Sequence, residues 1–367
     1  MKICRISPTY PSDLDPGIGL PSYYMTRNIP YNTLLITRNR SGVPLENPDH
    51  AKIVRIPYFD ITISDKKGMI RKISILIKLS GYLTFFLLSV FHILKFKPDI
   101  VHIHTPMPIL QAVFAKLIFR SKIVITFHGT DINSINKWQL FNFLLRKSDK
   151  VCYVSKSMTD VLKKMFHSKD LIYTPSGVDI DFFNTTRKPR DKTILMVGSL
   201  RWQKSYNIAL LAFHKFTQNN PDWRLKIVGS GPLKEKLIEL SQRLNIYNKI
   251  DFLGICSRIQ VRDLMQKSKL FLLSSKSEGF PKVILESIAT GTPIVVTNIG
   301  SCAQIANLTG GEVVPVEDPE NLHDALERLA NNPEKWEKSS NLSRKIALNY
   351  SWDNTSDKVI SVYKNLI

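Results

Sequence analysis

The feature that most restricts this chain is an alternation, run through twice, of short apolar runs with longer stretches of helical period. In the first half the apolar runs are Lys2–Ser7, Thr33–Thr37, Lys52–Ile56, Ile100–His104, Ile123–Phe127, Val151–Val154 and Leu171–Tyr173. Segments such as Ile109–Phe119 and Lys156–Phe166 lie between them with a period near 3.6. Strands alternating with helices predict a parallel sheet covered on both faces, with ligands bound beyond the carboxyl ends of the strands. Asn184–Lys192 (NTTRKPRDK) then breaks the pattern with charge and Pro189 and reads as a linker. After it the alternation restarts, with strands at Thr193–Val197, Leu225–Val228, Ile250–Phe252, Leu270–Leu273 and Ile294–Val296. Helices are expected at Asn207–Gln218, Leu233–Leu244, Pro281–Thr290, Pro319–Ala330 and Pro333–Leu348, and a last one at Trp352–Ile367. The expectation is an α/β chain of two domains, 1–184 and 193–348, joined by 185–192 and closed by residues 349–367. A length of 367 residues suits two cores rather than one.

Composition removes other classes. Hydrophobic residues are 43% of the chain, so disordered and fibrous readings drop out. Cys4, Cys152, Cys256 and Cys302 are scattered, with no CxxC pair and no zinc-ligand spacing. A reducing compartment is expected. The net charge of +20 calls for a partner of opposite sign: nucleic acid, an anionic membrane or a phosphorylated substrate. Ten basic residues fall between Lys66 and Lys122 against one acid, Asp99. No aromatic-basic interleaving or nucleic-acid reader motif accompanies them. Met1–Ser7 reads as a strand rather than as the apolar region of a leader peptide.

Ile73–Leu94 holds only Lys78 and His92 as ionisable groups over 22 residues, a length sufficient to span a bilayer. Arg71, Ser74, Lys78, Gly81 and Thr84, continued by His92 and Lys95, recur every three or four residues. A narrow polar stripe fits a helix packed on a sheet or lying in a membrane surface better than a span.

The stretch Ser274–Gly291 (SSKSEGFPKVILESIATG) carries the clearest chemistry. A strand ends near Leu273, a loop carries Glu278-Gly279-Phe280-Pro281, and the following helix carries Glu286. Proline is tolerated in a first helical turn, and the amides of Gly279, Phe280, Lys282 and Val283 would face an oxygen-rich ligand at the helix start. Taken by spacing alone, a dipole-favouring glutamate and a solvated one are an equally good account.

Glu-x7-Glu within EGFPKVILESIATGTPIV resembles the signature of the family 4 retaining glycosyltransferases. The resemblance extends to LMVGSLRWQKSYNIALLAF, WRLKIVGSGPLKEKL and IDFLG. Earlier in the chain PDIVHIHTP, ITFHGTD, SDKVCYVSKSM and TPSGVDIDFF follow in the family's order. It implies the GT-B fold: two Rossmann-like domains facing across a deep cleft, with a C-terminal helix crossing back to the first. It also implies a metal-independent, retaining transfer of a hexose-type sugar from a nucleotide diphosphate donor, with no cofactor.

The family's residue roles fall on particular positions. Glu278, with the amides of Phe280 and Lys282 in the Phe280-Pro281-Lys282-Val283 turn, would hold the sugar hydroxyls. Glu286 would hold the ribose diol. Lys204 matches a lysine that neutralises the diphosphate. The matching arginine position is Ser199, which carries no charge, and Arg201 is the nearest substitute. His128, in the HGxD turn, is expected to orient a sugar hydroxyl. Gly17 and Gly19 resemble a glycine loop that faces the diphosphate. His102 and His104 read as structural residues of a strand. Asp13-x-Asp15 and Asp179-x-Asp181 lack the context of a metal-binding pair, and no metal is expected.

The implied mechanism is a same-face substitution. Lys204, Arg201 and helix-end amides stabilise the departing diphosphate. The implied acceptor is a lipid-linked saccharide or glycan precursor, met by a cytoplasmic enzyme peripheral on the inner face of the membrane. Two further readings stay open: a GT-B nucleotide-sugar 2-epimerase or sugar-phosphate synthase, and, on charge alone, a nucleic-acid-binding protein.

Overall fold

The computed structural model describes residues 1–11, 19–39, 48–57, 68–129, 131–132, 139–166, 170–186 and 188–367. Gly17, Asp13, Asp15, Lys66, Lys67 and Thr130 lie outside these. The contacts divide the chain into two compact units. One comprises Met1–Val154, Met158–Thr174 and Thr355–Ile367; the other comprises Ser155–Ser157 and Pro175–Asn354. The stretch 185–192 clusters with the second unit, and its last two residues already belong to a strand.

The first unit is built on β1 (Lys2–Ile6), β2 (Asn32–Arg38), β3 (Ala51–Ile56), β4 (Ile100–Ile103), β5 (Lys122–Phe127), β6 (Lys150–Tyr153) and β7 (Leu171–Tyr173). Their order is β3-β2-β1-β4-β5-β6-β7, every pairing parallel. Strand order reverses between β1 and β4, the place where such sheets open a crevice at their carboxyl ends. β1 and β4 are apolar on both faces because helices cover both, and Ile3, Cys4, Ile6, Ile100, Val101 and Ile103 are fully enclosed. Arg5 and His102 break that run, and both are also at 0% exposure.

The Gly68–Phe96 helix joins β3 to β4 and packs on β1, β2, β3 and the Ile109–Phe119 helix. Its polarity is inverted relative to a soluble surface helix. The residues turned inward are Ser74, Gly81, Phe85, Ser89 and Ile93, all buried. Small side chains there let the helix approach the sheet closely. The outward face carries Ile73, Leu76, Leu79, Leu83, Leu87 and Phe91, each about half exposed or more. Part of the expected polar stripe, Ser74 and Gly81, is therefore the packed side, and the apolar residues face out.

The second unit is built on β8 (Asp191–Val197), β9 (Arg224–Val228), β10 (Ile250–Gly254), β11 (Ser268–Leu273), β12 (Ile294–Thr297) and β13 (Glu312–Val314). Their order is β10-β9-β8-β11-β12-β13, again parallel. One face packs on Phe213, Phe216, Trp223 and Leu326, the other on Phe183, Ile284, Ile288 and Ile305. Asp318 and Asn332 cap the Pro319–Ala330 and Pro333–Leu348 helices, accepting from the amides of Asn321 and Lys335 with proline in each first turn. Arg190 and Arg344 fasten the 180–190 stretch. Arg190 donates to the carbonyls of Met265, Ser268 and Thr290, and Arg344 to those of Ile180, Phe183 and Ala289.

Candidate functional site

In the second unit the candidate residues gather at the carboxyl ends of β8 and β11. β8 ends at Val197, and Gly198–Arg201 lead into a short turn at Trp202–Lys204 and the Tyr206–Asn219 helix. Backbone contacts hold this loop against the turn after β9. Leu200 N donates to Ser230 O at 2.9 Å, and Leu233 N to Leu200 O at 3.1 Å. Only glycine fits opposite it, because a Cβ on Gly229 (φ +137°) would stand 1.9 Å from Gly198 O.

That loop delivers Lys204 to Glu278. Nζ lies 2.5 Å from Oε1, with the side chains 20% and 14% exposed. Ser275 Oγ donates to the same carboxylate oxygen at 2.6 Å. Ser274 Oγ, fully buried, donates to the carbonyls of Lys204 and Ser205 at 2.9 and 3.1 Å, so the β11 loop and the β8 loop are tied independently of charge. Ser199 and Arg201 are exposed. Arg201 contributes main-chain bonds to the turn, its carbonyl accepting from Lys204 N at 3.0 Å.

Pro281 sits one position before the Lys282–Ala289 helix, as its N-cap, rather than inside the first turn; its carbonyl accepts from Ile284 N at 3.1 Å. Phe280 and Val283 pack on the core face below. Lys282 and Glu286 follow at i and i+4, both half-buried. Burial pushes the Glu286 carboxyl above the ordinary carboxylate range, while Lys282 and Arg258 draw it back. Burial lowers the Lys282 ammonium, with Glu286 opposing and Arg258 reinforcing.

Arg258 is a site residue that sequence reading misses. It opens the Arg258–Lys267 helix, lies 4.2 Å over the Phe182 ring and bonds to Asp179 Oδ2 at 3.3 Å. Asp179 also accepts from the amide of Phe182 at 3.0 Å. Ser257 caps this helix, its side chain accepting from the amide of Gln260. The loop after β11 and the helix that follows thus present Glu278 and Glu286, with Lys204 beside the first and Lys282 and the Asp179-bound Arg258 near the second. This set is suited to a ligand carrying both hydroxyls and a diphosphate.

A cavity of about 790 Å³ lies elsewhere in this unit, between residues 185–190 and the Pro333–Leu348 helix. It opens near the amino ends of β8 and β11, and Arg190 and Arg344 on its wall are already spent on carbonyls.

In the first unit, His128 follows β5. Asp131 fixes its turn by accepting from the amides of His128 at 2.9 Å and Gly129 at 2.8 Å. His128 Nε2 faces His104 Nδ1 at 3.4 Å. Gly19 (φ +80°) begins the Leu20–Asn28 helix beside Tyr10, where a Cβ would meet backbone at 2.7 Å.

Residues 33–182 match the family described as Glycosyltransferase Family 4, and residues 177–346 match Glycosyl transferases group 1. A Haemophilus influenzae glycosyltransferase is 28% identical over 60% of this chain and 61% of its own length. Glycogen synthase of Mycobacterium tuberculosis is 24% identical over 73% of this chain and 69% of its own. Among solved structures, Anabaena HepE in complex with UDP-glucose superposes with a TM-score of 0.74 at 16% identity, covering 100% of both chains. The two parallel sheets have the GT-B fold. The two matches together run from residue 33 to residue 346, and the chain belongs to the family 4, group 1 glycosyltransferases.

Proposed function

We propose that this protein transfers a hexose-type sugar from a nucleotide diphosphate donor to an acceptor hydroxyl, with retention of anomeric configuration and without a metal. The observation that carries the reading is the Lys204–Glu278 pair at the meeting of the β8 and β11 loops. A diphosphate entering there supplies Lys204 with a second anion, which frees Glu278 to accept from sugar hydroxyls. Arg201, exposed two residues from Ser199, adds a cation from the same loop. The amides of Phe280 and Lys282 lie at the start of a helix, where oxygen ligands are favoured. Glu286 accepts from a ribose diol through its two carboxylate oxygens. His128 serves as a hydrogen-bonding group for a sugar hydroxyl.

The chemistry assigned is substitution on one face of the sugar. The bond from the anomeric carbon to the diphosphate breaks as the acceptor oxygen attacks, and the acceptor's proton passes to the departing phosphoryl oxygen. Lys204 and Arg201 stabilise the charge that grows there. Support for a nucleotide sugar comes from HepE, which has been solved with UDP-glucose.

The acceptor we assign is lipid-linked, met at an anionic membrane surface. The outward Ile73, Leu76, Leu79, Leu83, Leu87 and Phe91 continue onto Leu117 and Ile118 of the neighbouring helix, which are 76% and 55% exposed. Lys72, Lys95 and Arg120 belong to the same two helices or their ends, while Lys116 is paired with Asp149 at 2.8 Å. An apolar face flanked by cations fits an interface of acyl chains and acidic headgroups. The test is to incubate the protein with UDP-, GDP- and ADP-sugars, with and without vesicles bearing lipid-linked saccharide. Vesicle-dependent release of nucleoside diphosphate is expected. A new nucleotide sugar formed without acceptor would instead identify an epimerase.

A further inference from the structure

Arg5 is the largest side chain fully enclosed in the protein's described interior, at 0% exposure in the middle of β1. Burying a guanidinium is costly unless its protons are satisfied. Among the described residues no carboxylate pairs with it; burial lowers the guanidinium from its usual range, and its Nε is left without a partner. NH1 donates to Thr26 Oγ1 at 3.0 Å, and NH2 faces His104 Nε2 at 2.8 Å. A guanidinium only donates, so His104 Nε2 holds a lone pair and its proton sits on Nδ1. That Nδ1–H is aimed at His128 Nε2, 3.4 Å away, which must then accept.

His102 and His104 stack, with centroids 4.3 Å apart and planes inclined by 25°, while the His104 and His128 rings are near parallel at 5.7 Å and 27°. His102 is pinned at both nitrogens, by Tyr363 Oη at 2.5 Å and Thr126 Oγ1 at 2.7 Å. Burial, with Arg5 and the neighbouring imidazoles, holds His102 and His104 well below the usual histidine range, so both are neutral. Among the described residues, Arg5 faces the rings directly and Asp131 binds the main chain of the His128 turn.

We propose that Arg5 and His104 are positioning residues that hold His128 in one neutral tautomer, with its proton on Nδ1 and its lone pair on Nε2. The chain of donors runs one way, from Arg5 to His104 to His128. The lone pair of His128 is thereby taken by His104, and the ring has no second one to offer a sugar hydroxyl. That consequence for sugar binding rests on the reading of His128 given above; the tautomer itself does not.

The test is a long-range ¹H–¹⁵N correlation spectrum of the full-length protein with ¹⁵N-imidazole histidine, the His128 signals being those lost in His128→Asn. The expected pattern for His104 and His128 is a pyrrole-type Nδ1 and a pyridine-type Nε2. In Arg5→Met or His104→Phe the His128 nitrogens should move to exchange-averaged shifts, and kcat/KM should fall about tenfold, the scale of one misdirected hydrogen bond. A wild-type His128 carrying its proton on Nε2, or on both nitrogens, would overturn the proposal. So would an unchanged Nδ1–H pattern in a folded His104→Phe. The wild-type spectrum decides even where a variant does not fold, and it decides independently of whether any nucleotide sugar is turned over.

Discussion

Lys204 Nζ and Ser275 Oγ converge on one oxygen of Glu278, at 2.5 and 2.6 Å. The acidic residue of this site is thus restrained from two loops before any ligand arrives. Lys204→Met removes the cation and leaves Ser275 as the partner still holding that oxygen. We expect donor KM to rise at least about tenfold, the scale of a charge-assisted bond to phosphate, with the protein still folded. Steady-state kinetics together with the circular dichroism melting curve checks both parts.

Glu286 makes a pH-dependent prediction. Its carboxyl is pushed up by burial, so the folded state holds the proton more tightly than the unfolded one. The sign follows: this group favours folding below its unfolded value, and that contribution is lost as pH rises through the raised folded value. Glu286→Gln should therefore melt higher than wild type at about pH 8, with the gap closing as pH falls through the carboxylate range. The same variant should lose protection by nucleoside diphosphate. Melting curves across pH, with and without ligand, separate the two effects.

The glycines of the second unit give a contrast in stability. Gly229→Ala drives a Cβ to 1.9 Å from Gly198 O and must displace the β8 loop that carries Lys204. Gly254→Ala meets nothing within 4 Å and only holds alanine at φ +67°, a cost of about 1–2 kcal/mol. Urea denaturation should rank Gly229→Ala well below Gly254→Ala, with activity lost only in the former.

The outward face of the Gly68–Phe96 helix predicts a separation of binding from folding. Leu79 and Leu83 are 58% and 59% exposed, so Leu79→Asp with Leu83→Asp should leave the melting temperature within about a degree or two of wild type. Flotation with anionic vesicles should lose the double variant at low salt while wild type co-floats. Equal flotation of both would remove this face from the account.

The alternation in the sequence located most strands to within a residue or two. The Ile109–Phe119, Pro319–Ala330 and Pro333–Leu348 helices lie where their period places them. β13 escaped because Glu312–Val314 is three residues long, too short for any period to show. The Arg258–Lys267 helix escaped because its outer positions are polar and only Met265 is buried, so no apolar stripe announces it. Arg258 went unnoticed with it. That the long helix packs on a sheet was legible, but not which side does so: Ser74 and Gly81 of the polar stripe face the sheet, while Leu79 and Leu83 face outward. His102 was legible as a strand residue, whereas His104 lies one position past the end of β4. The bond of His104 to Arg5, 99 residues away in the chain, was not legible, since only the β1–β4 pairing brings them together.

The claim at the centre of this account is that Glu278 and Glu286 bind a nucleotide sugar without a metal. Isothermal titration of wild type, Glu278→Gln and Glu286→Gln with UDP-, GDP- and ADP-sugars, in buffer containing EDTA, tests it most directly. The account predicts that one nucleotide class binds wild type in the presence of EDTA and that each variant loses at least about tenfold in affinity, the worth of one charge-assisted hydrogen bond. Undiminished binding by both folded variants, or binding abolished by EDTA, would contradict it.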